Sequence, residues 1–178
     1  WAARMIMAGF EYKKEKPFSE VYFTGIVRDK IGRKMSKQLG NSPDLLEMID
    51  KDGADAVRFG IMISSPAGND LMWDETGNEQ GRFFINKMWN ALKLIRSWES
   101  RIESGGGSSE AGANTGGNEF AVSWFENRLN EVRAELDSQF KDFRLSEALK
   151  TTYSLIWDDF CSWYLEWVKP PINIPIDK

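Results

Sequence analysis

Apolar residues in the last third of the chain keep a helical rhythm. Phe125, Leu129, Val132, Leu136 and Phe140 follow at intervals of 4, 3, 4 and 4 residues, and Leu145, Leu149, Thr152, Ile156, Phe160, Trp163 and Trp167 continue it after Phe143. An α-helix returns to one face about every 3.6 residues, so each series draws a single apolar stripe. Two such stripes meeting near Lys141 and Asp142 predict a helical hairpin, the start of a bundle, which Pro170, Pro171 and Pro175 end. The fold class is therefore expected to be mainly α.

The rest of the chain supports this. "WAARMIMAG" reads as the tail of a helix with Gly9 as its stop, as a chain cut inside a helix would begin. "EVYFTGIV" (20–27) is a nearly continuous apolar, β-rich run, as in a strand buried on both faces of a parallel sheet, and as no second such run is present its sheet partners are expected to be missing. Ser42 as N-cap, Pro43 at the first helical position and Gly53 as terminator predict a short helix. "ADAVRFGIMI" predicts a second helix, ending at the Ser64-Ser65-Pro66 break, and "AGND" a loop. From about Asn78, the spacing of Phe84, Met88, Leu92 and Ile95 predicts a long amphipathic helix. Residues 103–118, "ESGGGSSEAGANTGGN", hold six glycines and no large apolar side chain, and read as a flexible linker.

Composition removes several chemistries. The chain of 178 residues contains no histidine, which excludes Ser-His and Cys-His nucleophile pairs, the usual zinc sets and histidine acid–base catalysis. Any chemistry falls to lysine or carboxylate. The lone cysteine, Cys161 in "DDFCSWYLEW", cannot close an internal disulfide and reads as a small buried hydrophobe, which fits a reducing cytoplasm. No apolar run approaches the roughly 20 residues of a membrane-spanning helix.

Charge is unevenly placed. The net charge is −4, yet Arg28 to Lys37 carries five cations against one anion. Within it, "RKMSK" sets Lys34 and Lys37 three residues apart on a loop flanked by Gly32 and Gly40. Two ammonium groups with hydroxyl and backbone donors between them suit the grip of a polyphosphate, and the glycines suit a loop that moves. A solvated basic turn is the other reading of the same residues.

"KMSKQLGNSPD", preceded by "TGIVRDKIGR" and followed by "GADAVRF", resembles the KMSKS signature region of the class I aminoacyl-tRNA synthetases. "SSPAGNDLMWDETGNEQGRFFINKMWNALKLI" and "FRLSEALKTTYSLIWDDFCSWYLEWVKP" are similar to the valyl members of that class, in the same order and spacing. Isoleucyl- and leucyl-tRNA synthetases share "KMSK" and "GADA", and a non-catalytic tRNA-binding module is the reading from another class. The fifth signature residue here is Gln38 in place of the usual serine.

The resemblance implies four parts: the end of a Rossmann-type catalytic domain with a short strand and KMSKS-like loop (1–52), a helical stem-contact region (53–102), the linker (103–118), and the start of an anticodon-binding helical domain (119–178). It implies ATP as substrate, Mg2+ arriving with ATP, no tightly held cofactor of the chain's own, and L-valine, tRNA(Val) and the rest of a synthetase chain as partners. Valine and ATP would form valyl-adenylate, and the acyl group would pass to tRNA. Lys34, Met35, Ser36 and Lys37 would lie over the ATP phosphates, with Lys34 and Lys37 catalytic, Lys37 nearest the developing charge, and Gly32 and Gly40 as hinges. Trp1 would wall the amino-acid pocket, a core aromatic being its other reading. The second class I signature requires histidines, which this chain lacks, so it is expected to be inactive alone.

Other features carry plainer expectations. Trp89, Trp157 and Trp163 lie in amphipathic helices, where core packing is the ordinary role of tryptophan. Adjacent Asp158 and Asp159 diverge on a helix and suit a solvated face. Arg128, Arg133, Lys141 and Arg144 are candidates for RNA phosphate contact, although segment 119–169 has six cations against ten anions, which restricts such contact to a narrow patch.

Overall fold

The computed structural model describes residues 1–65, 68–104 and 115–170. Its order is α1 (Ala2–Ala8), β1 (Val27–Arg28), α2 (Leu45–Asp52), α3 (Ala54–Ile63), β2 (Leu71–Met72), α4 (Thr76–Ser104), α5 (Thr115–Lys141), α6 (Leu145–Ser154) and α7 (Leu165–Trp167). The segment Leu155–Tyr164, between α6 and α7, is wound as a π-helix. The molecule is mainly helical, as the apolar spacing requires.

Several boundaries differ from expectation. Gly9 does not stop α1: its backbone stays right-handed, the chain continues as a π-turn over Gly9–Lys13, and Lys14 at φ 59° ends it. A side chain at Gly9 would come within 2.9 Å of Pro17 Cδ, so this glycine serves close packing. The cap of α2 is Asp44, whose carboxylate accepts from the Leu46 and Glu47 amides, in place of Ser42; Gly53 at φ 90° ends the helix as expected. The helix predicted for "ADAVRFGIMI" is α3, although Pro66 of the break after it lies outside the described residues, as does Ala67. Helices α4 and α5 reach into both ends of the expected linker, whose centre, 105–114, lies outside the described residues, as do Pro171 and Pro175.

The apolar run 20–27 pairs only at its end. Contrary to the expectation that its sheet partners are missing, β1 runs parallel to β2 in the register Val27 with Leu71 and Arg28 with Met72; the two-residue β2 is too short to show an alternating pattern in the sequence. Val21, Tyr22, Phe23 and Ile26 remain exposed, so the expected burial on both faces is not realised within this chain. β2 follows directly on the "AGND" segment and had no periodic signal of its own.

Helices α3 and α4 cross closely through small residues. A side chain at Gly81 would lie 2.8 Å from the Ala56 carbonyl, and one at Gly77 would lie 3.2 Å from Gly60 Cα. Without Cβ atoms the backbones approach, and Ala56, Val57, Phe59 and Phe84 are buried beside the crossing. Phe59 and Phe84 stand 5.3 Å apart, and Tyr153 of α6 closes the cluster at 5.0 Å from Phe84.

The second half of α4 builds another core. Ala91 packs with Cys161 and Leu165, ringed by Ile95, Trp98, Ile156, Phe160 and Tyr164. Helix α5 joins it through Phe125, stacked 4.7 Å from Tyr164. The hairpin turn falls at 142–144, where Phe143 takes φ 56°. Cys161 is buried as expected, and burial pushes its thiol pKa up. Trp89 and Trp163 depart from expectation: both are more than half exposed, because their helices present more apolar surface than the described neighbours cover. Trp157 is half-buried, with Lys87 Nζ 4.7 Å above its ring.

Candidate functional site

The basic loop hangs from β1. Beyond Arg28 the chain turns through Asp29–Gly32, with Gly32 at φ 82°, and returns antiparallel to β1 through an Arg28–Lys34 bridge. The Met35 amide donates to the Val27 carbonyl at 3.1 Å, and the Asp29 amide to the Arg33 carbonyl at 2.9 Å. β1 therefore lies between β2 and the strand-like start of the loop. After Ser36 the chain forms a 3-10 turn, Lys37–Leu39, capped by the Ser36 hydroxyl accepting from the Leu39 amide and closed by Gly40 at φ 63°. Both flanking glycines thus take left-handed backbone that other residues adopt with strain.

Asp29 organises the turn. Its Oδ1 accepts from the Ile31 and Arg33 amides, and its Oδ2 from Arg33 Nε at 2.9 Å and Asn41 Nδ2 at 3.0 Å. The Asn41 hydrogen bond, with those and the charge of Arg33, holds the Asp29 carboxyl at a pKa of about 2. Asp70 does similar work below the loop. It accepts from the Ile26 amide and from Arg28 Nε, and these bonds lower its pKa. Gly25 permits this approach, since a side chain there would collide with the Asn69 carbonyl.

These contacts sort the five cations. Arg28 pairs with Asp70 and Arg33 with Asp29, while Lys30 makes no ion pair among the described residues. Lys34 and Lys37 are exposed and have no acidic partner within salt-bridge distance among the described residues. The basic turn is therefore partly neutralised, and the charge left for a ligand sits on Lys30 and the two signature lysines. Beside them lies a depression of about 280 Å³ bounded by Asp29, Lys30, Met35, Asn41, Trp73 and Glu75. Met35 and Ser36 are half-buried.

Residues 1–74 match the family described as tRNA synthetases class I (I, L, M and V), and residues 123–176 match the anticodon-binding domain of tRNA ligase. The valine–tRNA ligase of Porphyromonas gingivalis is 54% identical over 177 residues, 99% of this chain. The chain belongs to the valine–tRNA ligase family. It spans 19% of the length of that ligase and of the Bacteroides thetaiotaomicron valine–tRNA ligase, which is 54% identical over 178 residues. The valine–tRNA ligase of Bdellovibrio bacteriovorus is 40% identical over 97% of this chain. In fold, the chain is similar to Agrobacterium radiobacter LeuRS, solved in a ternary complex with tRNA and LeuAMS, at a TM-score of 0.60 and 22% identity, over 85% of this chain and 19% of that one.

Among the predicted residues of this valine–tRNA ligase segment, Lys34, Met35, Ser36 and Lys37 share one loop. Trp1 does not enter a core: it is 85% exposed, with the Arg4 guanidinium 4.2 Å over its ring. Of the basic residues on the hairpin, Arg128 pairs with Asp159 and Glu131, and Arg144 with Asp142 and Glu147. Arg133 and Lys141 have no acidic partner among the described residues. Asp159 faces Arg128 while Asp158 accepts from the Ser154 hydroxyl, so the adjacent carboxylates diverge as expected. Sequence reasoning missed the supporting roles of Asp29, Asn41 and Asp70. The only local signal was turn chemistry at "RDKIG" and "GNSPD", which points to a bend and not to a partner.

Proposed function

We propose that this chain supplies the phosphate-gripping loop and tRNA-contacting helices of an enzyme that activates L-valine with ATP and transfers it to tRNA(Val) in the cytoplasm. The observation that carries the reading is that Lys34 and Lys37 stand exposed and without an ion-pair partner among the described residues, whereas Arg28 and Arg33 of the same cluster are neutralised. In the first step the valine carboxylate attacks the α-phosphate in line and pyrophosphate leaves. That step needs positioning and charge stabilisation more than proton transfer, which suits a segment without histidine. Lys37 lies nearest the leaving group and Lys34 grips farther back, while the Ser36 hydroxyl keeps a hydrogen to donate to the phosphates; the Met35 and Ser36 amides, engaged by Val27 and Asn41, fix the loop beneath them. Mg2+ enters with ATP as part of the nucleotide substrate.

In this reading residues 1–52 close the Rossmann-type catalytic domain and 53–102 contact the acceptor stem. Residues 103–118 link them to the anticodon-binding helices of 119–178. Gly32 and Gly40 are the loop's hinges, and Trp1 walls the valine pocket. Of the four hairpin cations named from the sequence, Arg133 and Lys141 are available to RNA phosphates. The deciding assay is amino-acid-dependent ATP–pyrophosphate exchange by the full-length enzyme carrying this segment. Exchange is expected with valine well above isoleucine and leucine, and a preference for either of the latter would replace the substrate assignment.

A further inference from the structure

We propose that Asn41 is a positioning residue for the signature loop, its carboxamide standing in for a neighbouring strand across Met35. The proposal rests on the phosphate-binding reading of residues 34–37. Asn41 Oδ1 accepts from the Ser36 amide at 2.9 Å, while Nδ2 donates to the Lys34 carbonyl at 3.4 Å. A β-partner makes this same pair of bonds to the groups flanking one residue. On the opposite edge, the Met35 amide is already bonded to Val27. Met35 is thus pinned from both sides, and Lys34 and Ser36 inherit fixed backbone directions.

The second donor hydrogen of Nδ2 goes to Asp29 Oδ2 at 3.0 Å, so the carboxamide is itself oriented by the turn that opens the loop. The carboxamide is satisfied at both ends by atoms of the loop and its opening turn. Its effect on catalysis runs through the backbone of Lys34 to Ser36. The 3-10 turn carrying Lys37 begins at Ser36, so a displaced Ser36 carries Lys37 with it.

Asn41→Ala in the full-length enzyme is expected to lower kcat of adenylate formation about 10²-fold, the scale of a misplaced catalytic group. KM for ATP and valine is expected to move less than about threefold, because the lysines and their charge remain. Asn41→Asp keeps the acceptor for Ser36 but loses both donors and faces Asp29 with like charge, so it is expected to be at least as slow. Adding Asp29→Asn to Asn41→Asp returns one donor to the contact and is expected to recover about tenfold of that loss, a coupling independent sites would not show. A kcat unchanged in Asn41→Ala, or no recovery in the paired variant, overturns the proposal. Amide exchange in a peptide covering 34–37 is expected to rise in Asn41→Ala while the α3 peptide stays unchanged; unchanged exchange at Ser36 overturns it too. That measurement does not use the ligase reaction, so it still decides the clasp if valine-dependent exchange fails and the functional reading falls.

Discussion

Ser146 donates its hydroxyl to the carbonyl of Ile63 at 2.9 Å, joining the first turn of α6 to the last residue of α3 across 83 positions of sequence. Ser146 is 5% exposed, so the bond ties the hairpin to the α3–α4 pair in a nearly dry site. Ser146→Ala leaves that carbonyl without its side-chain partner. The expected loss is about 1–3 kcal/mol, the usual cost of an unsatisfied buried group. Urea unfolding checks it: the midpoint is expected to fall with the slope unchanged, and an unmoved midpoint would show that the bond contributes nothing.

The α3–α4 crossing depends on Gly60. A methyl group there would meet Asn78 Oδ1 and lie 2.8 Å from the Asn78 amide nitrogen, a backbone atom that cannot swing aside. Gly60→Ala gains about 0.8–1.0 kcal/mol of helix propensity, while overpacking costs about 1–3 kcal/mol. Net destabilisation is expected, read as a lower melting temperature. Ala56→Gly, on the same helix, removes a methyl without a clash and separates packing from propensity.

The loop's acid response follows from Asp29. Its carboxyl is held at about 2, below the ordinary 3.8, first by the Asn41 hydrogen bond and then by bonds to Arg33. The folded pKa is depressed, so the stabilisation is complete above the ordinary value and is lost as pH falls from there through about 2. A carbon-13 titration of the Asp29 carboxyl is expected to show a midpoint near 2 in the intact chain, moving upward in Asn41→Ala. A wild-type midpoint near that of a free aspartate would mean that the contact is not held in solution.

In the full-length enzyme, Lys37→Ala is expected to slow valyl-adenylate formation about 10²–10³-fold, the scale of losing one preorganised donor at a charged transition state. Valine affinity is expected to change far less, because the contact is made as pyrophosphate separates. Lys34→Ala is expected to do less harm, and Gln38→Ser to be nearly neutral. Single-turnover kinetics separate the cases. A Lys37→Ala enzyme that keeps its rate but binds ATP weakly would make the loop a ground-state clamp.

Local periodicity was enough for the helices, since a helix satisfies its own hydrogen bonds and only its apolar stripe needs a partner. α4 and the hairpin, with its turn at 142–144 close to the expected Lys141 and Asp142, were therefore legible from the spacing of Phe84, Val132, Leu149 and their neighbours, and α3 from its run of helix formers before the Ser64-Ser65 break. The loop was equally legible as a cluster of cations between two glycines. Tertiary structure decided what distant residues do to one another. Leu71 and Met72 became a strand only because β1 offers them an edge. Gly77 and Gly81 matter because Gly60 and Ala56 lie opposite. Which cations remain available depended on where Asp70 and Asp29 reach, and Asn41 acquired a role because the chain, 12 residues after Asp29, folds back on it. Such relations carry no local period: a carboxylate or carboxamide finds its partner through the path of the backbone, which is set by packing over the whole chain.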